Sequence, residues 1–548
     1  MNSRPRGFTW MAVAMLAFSA AALALRLATV RFHAELNSDQ LLPQMFFQDL
    51  MESSHPISGW VYGAATFWFP DYPLFGALQA LLGVSGLAFP LYVAILLVGL
   101  GLAMGWALEE AGLREGCGWL SGMVVLNGLF WCQYVPGHGN WLWRAGWPAY
   151  HGGTVVNGFL VLALVLRAVR LGGWTRGRRI ALIGVMTPAL LSNTLIFFHW
   201  LLPIGLVLAW QGRRGSAARG FAKQYGLMVL QAFALMAVVR MGLWLAECFF
   251  YAPLVREWPW PDRIAATIGR FWENMTTGGL FMRQWILWSL APVGAILACR
   301  WLLMRRGGQP APEKLDPVVV ALSAGVMGLV LGWLMPMLTL YWSDGGGDRY
   351  MMNWIFVPTW MLALMFFGKG RLARWLPGAS ILLAITGLVV AVPHVDGNAL
   401  EFPRPAGAEA LKAFCKERGL TQGAGDYWSD HYLTAVWRHE GPLLGNIVEA
   451  GGTYFWCNNV FSYFPPRADG PGLARPDIQF VVMERLNRSL LQERFGGELQ
   501  ITTVGGYEIA VLTPSQRERA SEGVVIDANN YLNHSRRGCW LKAELGGQ

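Results

Sequence analysis

Between positions 31 and 87 the chain carries five acids, Glu35, Asp39, Asp49, Glu52 and Asp71, against a single base, Arg31. Two of them stand apart by context. Asp39 lies in LNSDQLLPQMFFQDL, and Asp71 lies in FWFPDYPLFGALQALLG, where Trp68, Phe69, Tyr72 and Phe75 crowd it together with two prolines. A carboxylate held among rings is partly desolvated, which moves it towards the strength a general base needs. An acid-rich surface loop accounts for any one of the five without chemistry.

Other segments carry cations and hydrogen-bond donors of the kind that can hold an anion. DGGGDRYMMNWIFVPTW, residues 344–360, places Arg349 and Tyr350 beside a glycine-rich turn. An arginine fork matches phosphate oxygens, although an interfacial arginine also snorkels without any such role. Asp344 and Asp348 flank the same glycines. Paired carboxylates suit a hard divalent cation, but a solvated turn accounts for them better, so a divalent cation is the one candidate cofactor and no metal site is assigned. VPGHGNWLWRAGWPAYHGG, residues 135–153, adds His138, Arg144 and His151 as further phosphate contacts, and an aromatic membrane belt explains its tryptophans equally well. The stretch 247–283 carries Arg256, Arg263, Arg270 and Arg283 and reads as a surface helix that attracts anionic lipid or phosphate. No His/Cys spacing matches a zinc site, no P-loop is present, and no G-x-S-x-G hydrolase signature occurs.

These residues must be positioned by a membrane-embedded scaffold. Of 548 residues, 54% are apolar and only 14% are charged, against roughly 25% charge in a soluble domain. Disorder, a collagenous chain and a disulfide scaffold are excluded on the same grounds. The net charge of +9 divides unevenly: residues 1–393 hold 28 Lys+Arg and 16 Asp+Glu, and residues 394–548 hold 15 and 18. No basic run interleaved with aromatics supports nucleic-acid binding.

A spanning helix needs about 20 apolar residues. Such runs fall near 9–30, 88–108, 118–135, 153–170, 224–246, 284–301, 317–340, 353–368 and 376–393. The 33-residue stretch 180–212 is interrupted by Ser192, Asn193, His199 and Pro203 and reads as two short helices. The sum is eleven crossings. Basic loops mark the cytoplasmic side; 19 Lys+Arg fall in one set of loops and seven in the other. That puts the N-terminus inside, as an uncleaved anchor, the acid-rich segment 31–87 outside, and the C-terminus outside. Parity leaves residues 73–84 as a helix along the outer surface. Arg26 and Arg240 lie near outer ends of spans, where snorkelling explains them.

From residue 394 the long apolar runs stop. RPAGAEALKAFCKERG, residues 404–419, and NRSLLQERF, residues 487–495, read as helices; 477–484, 498–504 and 507–512 read as strands. A small α/β domain over 394–548 follows, with no clear element in its last 35 or so residues. DYWSDHYLTAVW, residues 426–437, reads as core-packing aromatics. Cys415, Cys457 and Cys539 allow three single bridges, and the sequence does not choose among them.

The order of these parts resembles the GT-C superfamily of membrane glycosyltransferases, with the protein O-mannosyltransferases and lipid A aminoarabinose transferases as relatives. The features that carry it are Asp39-Gln40 after the first span, the turn at Ser58-Gly59-Trp60, Asp71-Tyr72-Pro73-Leu74 opening a surface helix, and the Arg349-Tyr350 segment before a late span. It covers roughly residues 1–393. Gln40 stands where the family has a second acid, and the DGGGD segment is unusual. The resemblance implies a polytopic α-helical fold with a C-terminal exterior α/β domain. It also implies transfer of a sugar, with inversion, from a polyprenyl-phosphate-linked donor to a hydroxyl of a glycan, lipid or protein acceptor outside a bacterial inner membrane. Asp39 is then the first candidate base and Asp71 the second, with Arg349, Tyr350, Arg144 and His138 on the donor phosphate. The competing expectations are a transporter or flippase of lipid-linked sugars, which would show repeated halves, and an inactive scaffold, which Gln40 keeps open.

Overall fold

The computed structural model describes residues 38–52, 59–62, 68–83, 87–113, 117–132, 151–213, 215–245, 249–250, 285–306, 315–338, 352–367, 405–437, 440–455, 459–465 and 473–531, with a few isolated positions. Most of the described chain is helical, and a small sheet lies near the C-terminus.

The helices of the apolar part are α1 (Ser38–Glu52), α2 (Asp71–Leu82), α3 (Ala88–Glu110), α4 (Cys117–Cys132), α5 (Gly152–Arg170), α6 (Arg176–Ser192), α7 (Leu202–Gly212), α8 (Ser216–Leu245), α9 (Trp285–Arg306), α10 (Pro317–Leu338) and α11 (Asn353–Phe367). Four described helices are long and apolar enough to cross a membrane, within Ala88–Glu110, Gly152–Arg170, Ser216–Leu243 and Pro317–Leu334. The 23 residues of α3 rise about 34 Å, enough for a hydrocarbon layer of about 30 Å. The expected first span, 9–30, and the run at 376–393 lie largely outside the described residues.

Local signals explain the helix starts. Asp316 accepts from the Val318 amide at 2.9 Å, with Pro317 as first residue of α10, the arrangement that satisfies an otherwise orphaned donor. Thr175 caps α6 through the Arg178 amide. The stretch 180–212 does divide in two: α6 ends at Ser192 with Asn193 as its extended cap, and a π-helical turn, Phe197–Leu201, leads into α7.

Helices α3 and α4 approach backbone to backbone. Gly101 and Gly105 on α3 face Gly118 and Gly122 on α4, so that a Cβ on Gly122 would lie 2.1 Å from the Gly101 carbonyl oxygen. Small residues four apart let apolar helices close in this way. At the far end of α3, buried Glu110 pairs with Arg170 at 2.8 Å and with Arg167 at 3.6 Å, tying α3 to α5. The Trp360 indole donates to the Met104 carbonyl at 3.0 Å and joins α11 to the same core. By contrast, Leu227, Leu230, Leu235, Val238 and Met241 of α8 are exposed, as expected of a face that meets lipid.

The C-terminal unit contains α12 (Ala408–Glu417), β3 (Gln422–Asp426), α13 (Tyr427–Trp437), β4 (Leu443–Ile447), β5 (Phe480–Val482), α14 (Arg488–Phe495), β6 (Gln500–Val504), β7 (Tyr507–Val511) and α15 (Pro514–Tyr531); β1 (Val61–Tyr62) and β2 (Phe249–Phe250) form a separate short parallel pair. The five-stranded order is β4-β3-β5-β7-β6. Strands β4 and β5 run parallel to β3, and β7 runs antiparallel to β5 and β6. The β6–β7 turn is Gly505-Gly506, both at positive φ, the backbone a two-residue hairpin demands.

One expectation is corrected by the structure. The segment after residue 513 is a helix through Tyr531, not an element-free tail. Its start is a reciprocal cap: the Thr513 amide donates to Gln516 Oε1 at 3.0 Å, and the Gln516 amide donates to Thr513 Oγ1 at 3.4 Å. The aromatic segment at 426–437 packs into the core as expected, with Tyr427, Leu433, Ala435 and Trp437 buried, and its helix α13 also lies against α1.

Candidate functional site at the junction of the first loop and the C-terminal unit

Asp39 sits in the first turn of α1, where the unpaired amides of a helix start favour negative charge. Its side chain is half-buried. The Tyr427 hydroxyl, at the start of α13, donates to Asp39 Oδ1 at 2.6 Å across 388 positions. The contact continues along both helices. Gln48 donates its amide to the Ala435 carbonyl at 3.2 Å. Asp49 Oδ2 accepts from the Trp60 indole at 2.7 Å and from the Asn459 amide at 2.9 Å, and Trp60 and Asn459 also form an isolated antiparallel bridge. The first loop and the C-terminal unit are thus joined at both ends of α1. Buried Gln40 and Gln44 lie one and five positions after Asp39.

Asp71 opens α2 and is 2% exposed. The Tyr92 hydroxyl on α3 donates to its Oδ1. Helix α2 thus begins two residues before the expected surface helix, and the candidate base lies inside it. Gly153 permits the approach of α5, since a Cβ there would meet Pro70 at 2.6 Å and Asp71 Oδ1 at 3.5 Å. The neighbouring backbone is held by polar side chains: the Phe69 amide donates to Ser192 Oγ, and Asn157 donates to the Phe69 carbonyl at 3.3 Å. Asn193 donates to Thr154 Oγ1 at 2.9 Å and contacts His151 Nδ1 at 2.6 Å. His151 is therefore buried in a side-chain network that packs the starts of α2 and α5 against the end of α6.

Asp39 and Asp71 sit on different helices and have different partners. Between α1 and α2, the Phe46 ring meets Tyr72 edge-on at 4.9 Å and Trp60 at 5.7 Å. Of the two acids, Asp39 is the more accessible. Arg349, Tyr350, Arg144, His138, Asp344 and Asp348 lie outside the described residues. Among the described residues no group of three or more His, Cys, Asp or Glu side chains is arranged to hold a metal ion.

The sequence does not single out Tyr427 as the partner of Asp39, Tyr92 as the partner of Asp71, or Asn459 as a partner of Asp49. Each meets its acid through tertiary packing, for which local periodicity carries no signal. His199 was visible only as a polar interruption of an apolar run. It lies in the π-helical turn, with Nδ1 2.6 Å from the Asn353 amide of α11, and Gly328 and Gly332 of α10 make room for its backbone and ring. π-Helical turns recur at functional positions.

No family model matches the chain, and no curated protein matches it in sequence.

Proposed function

We propose that this chain is an integral membrane glycosyltransferase of GT-C type, with eleven crossings, a cytoplasmic N-terminus and the C-terminal unit on the outer face of a bacterial inner membrane. The donor is a sugar on a polyprenyl phosphate, and the acceptor is a hydroxyl of a glycan, lipid or protein. The observation that carries this reading is the placing of Asp39. It is a half-buried carboxylate in a helix's first turn, at the seam between the apolar helical part and the C-terminal α/β unit. A base for this reaction has to meet a donor that arrives from the bilayer and an acceptor that arrives from water, and a seam of this kind offers both.

Asp39 takes the proton of the acceptor hydroxyl as its oxygen bonds to the anomeric carbon. The bond from that carbon to the phosphate oxygen breaks, and the phosphate leaves with the electron pair. Arg349, with Tyr350, Arg144 and His138 as further contacts, holds the leaving phosphate. Asp71 is the weaker candidate base because it is buried and held by Tyr92.

The test is turnover of extracted polyprenyl-phosphate sugars by the purified full-length protein, read as release of polyprenyl phosphate and appearance of glycosylated acceptor. Asp39→Asn is expected to lower turnover by about 10²–10⁴-fold, the usual share of a general base. Equal turnover in both proteins moves the base elsewhere. No turnover with any donor pool, with donor binding intact, favours transport or scaffolding.

A further inference from the structure

Tyr427 follows Asp426, the last residue of β3, with no loop between strand and helix. Its position is therefore set by the sheet, in which β3 is flanked on both sides by parallel partners. The ring is buried at 6% exposure and meets Tyr454 edge-on at 5.6 Å. Only a short reach then remains for the hydroxyl, and it ends on Asp39 Oδ1 at 2.6 Å. The docking of α13 does not depend on this one bond, because Gln48–Ala435 and Asp49–Asn459 hold the same seam.

A carboxylate with one oxygen tied to a rigid donor has the direction of its other oxygen fixed as well. A base oriented by a third group is the recurrent arrangement where a proton must be taken at a defined angle. We propose that Tyr427 is a positioning residue for the transfer reaction. The C-terminal unit contributes it to the site, and it keeps its own proton while Asp39 receives the acceptor's. This inference rests on the assignment of Asp39 as base.

The experiment compares wild type, Asp39→Asn, Tyr427→Phe and the double variant as full-length protein in nanodiscs, with extracted polyprenyl-phosphate sugars as donor. It measures kcat and the donor KM for release of polyprenyl phosphate, together with amide hydrogen exchange of α1 and α13. Tyr427→Phe is expected to lower kcat by roughly ten- to a hundredfold, as misplacing a catalytic group does. The donor KM and the protection of α13 should be unchanged, and the substitution should add nothing in the Asp39→Asn background. Wild-type kcat in Tyr427→Phe, with Asp39→Asn inactive, overturns the positioning role and leaves the base standing. Lost protection of α13, or a full additional loss in the double variant, assigns Tyr427 a purely structural part and also overturns it. Full activity in Asp39→Asn, or no release by wild type from any donor pool, removes the base assignment and this inference with it.

Discussion

Asn459 donates its side-chain amide to Asp49 across 410 positions of chain, and the same carboxylate oxygen accepts the indole of Trp60. One acid thereby fastens the C-terminal unit to Trp60, the residue before β1. Removing it leaves two partly buried donors without their acceptor, the costly half of breaking a hydrogen bond, at about 1–3 kcal/mol. Asp49→Ala is expected to speed amide exchange in 59–62 and α13 while leaving β3–β5 protected. Unchanged exchange in α13 would show that the clip carries no docking energy.

The long helices were legible because each is a continuous apolar run, and the break at 193 was legible because Ser192 and Asn193 interrupt one. Strands β3 and β4 were not. Gln422–Asp426 and Leu443–Ile447 contain glycines and polar residues where alternation would show; β3 is held between two parallel partners, and β4 pairs with β3 at the sheet edge. The helix at 514 had a readable start in Thr513-Pro514-Ser515-Gln516, a capping pattern with proline at the first helical position. For the site, Asp39 and Asp71 were legible as the acids that stand apart by context, but the tyrosine that meets each of them was not. The Tyr427 contact depends on a strand end, a helix dock and a sheet order, none of which is local.

Asp477 offers a pH-dependent contact outside the helical part. Burial pushes its carboxyl up, but hydrogen bonds from Arg517 and Gln479 and the Arg517 charge outweigh that and hold it below the ordinary 3.8. A lowered carboxyl stabilises the fold above its unfolded value, and that contribution is lost as pH falls through the lower folded value. Arg517 Nε donates to Oδ1 at 2.9 Å, and both side chains are substantially exposed, so the contribution is below about 1 kcal/mol. Acidification from pH 5 to about 3 is expected to loosen the start of α15, read by amide exchange. Arg517→Ala should flatten that dependence, and an identical acid response in the variant would assign it to other groups.

Cys415 is a free thiol, fully buried between Leu411 and the sheet. Burial pushes it up to about 11. Because the thiolate is the nucleophile, the native protein at pH 7.5 is expected to leave Cys415 unmodified by N-ethylmaleimide, as read by peptide mapping, and to label it fully once unfolded. Rapid native labelling would mean that α12 opens from the sheet readily.

The close approach of α3 and α4 makes the sharpest stability prediction. A methyl on Gly122 meets backbone on every near side: the Gly101 oxygen at 2.1 Å and the Gly105 nitrogen at 2.7 Å. Backbone cannot rotate away as a side chain can, so the two helices must separate and lose the packing of Met123 and Leu126 of α4, both fully buried, against Gly101. Gly128 lies on the same helix with nothing within 4 Å of its Cβ position, and alanine there gains helix propensity without a clash. Gly122→Ala is therefore expected to cost about 1–3 kcal/mol, the usual range for overpacking, and to lower the thermal midpoint in detergent. Gly128→Ala should hold or raise it. Equal midpoints for the two variants would mean that α3 and α4 do not meet through their glycines.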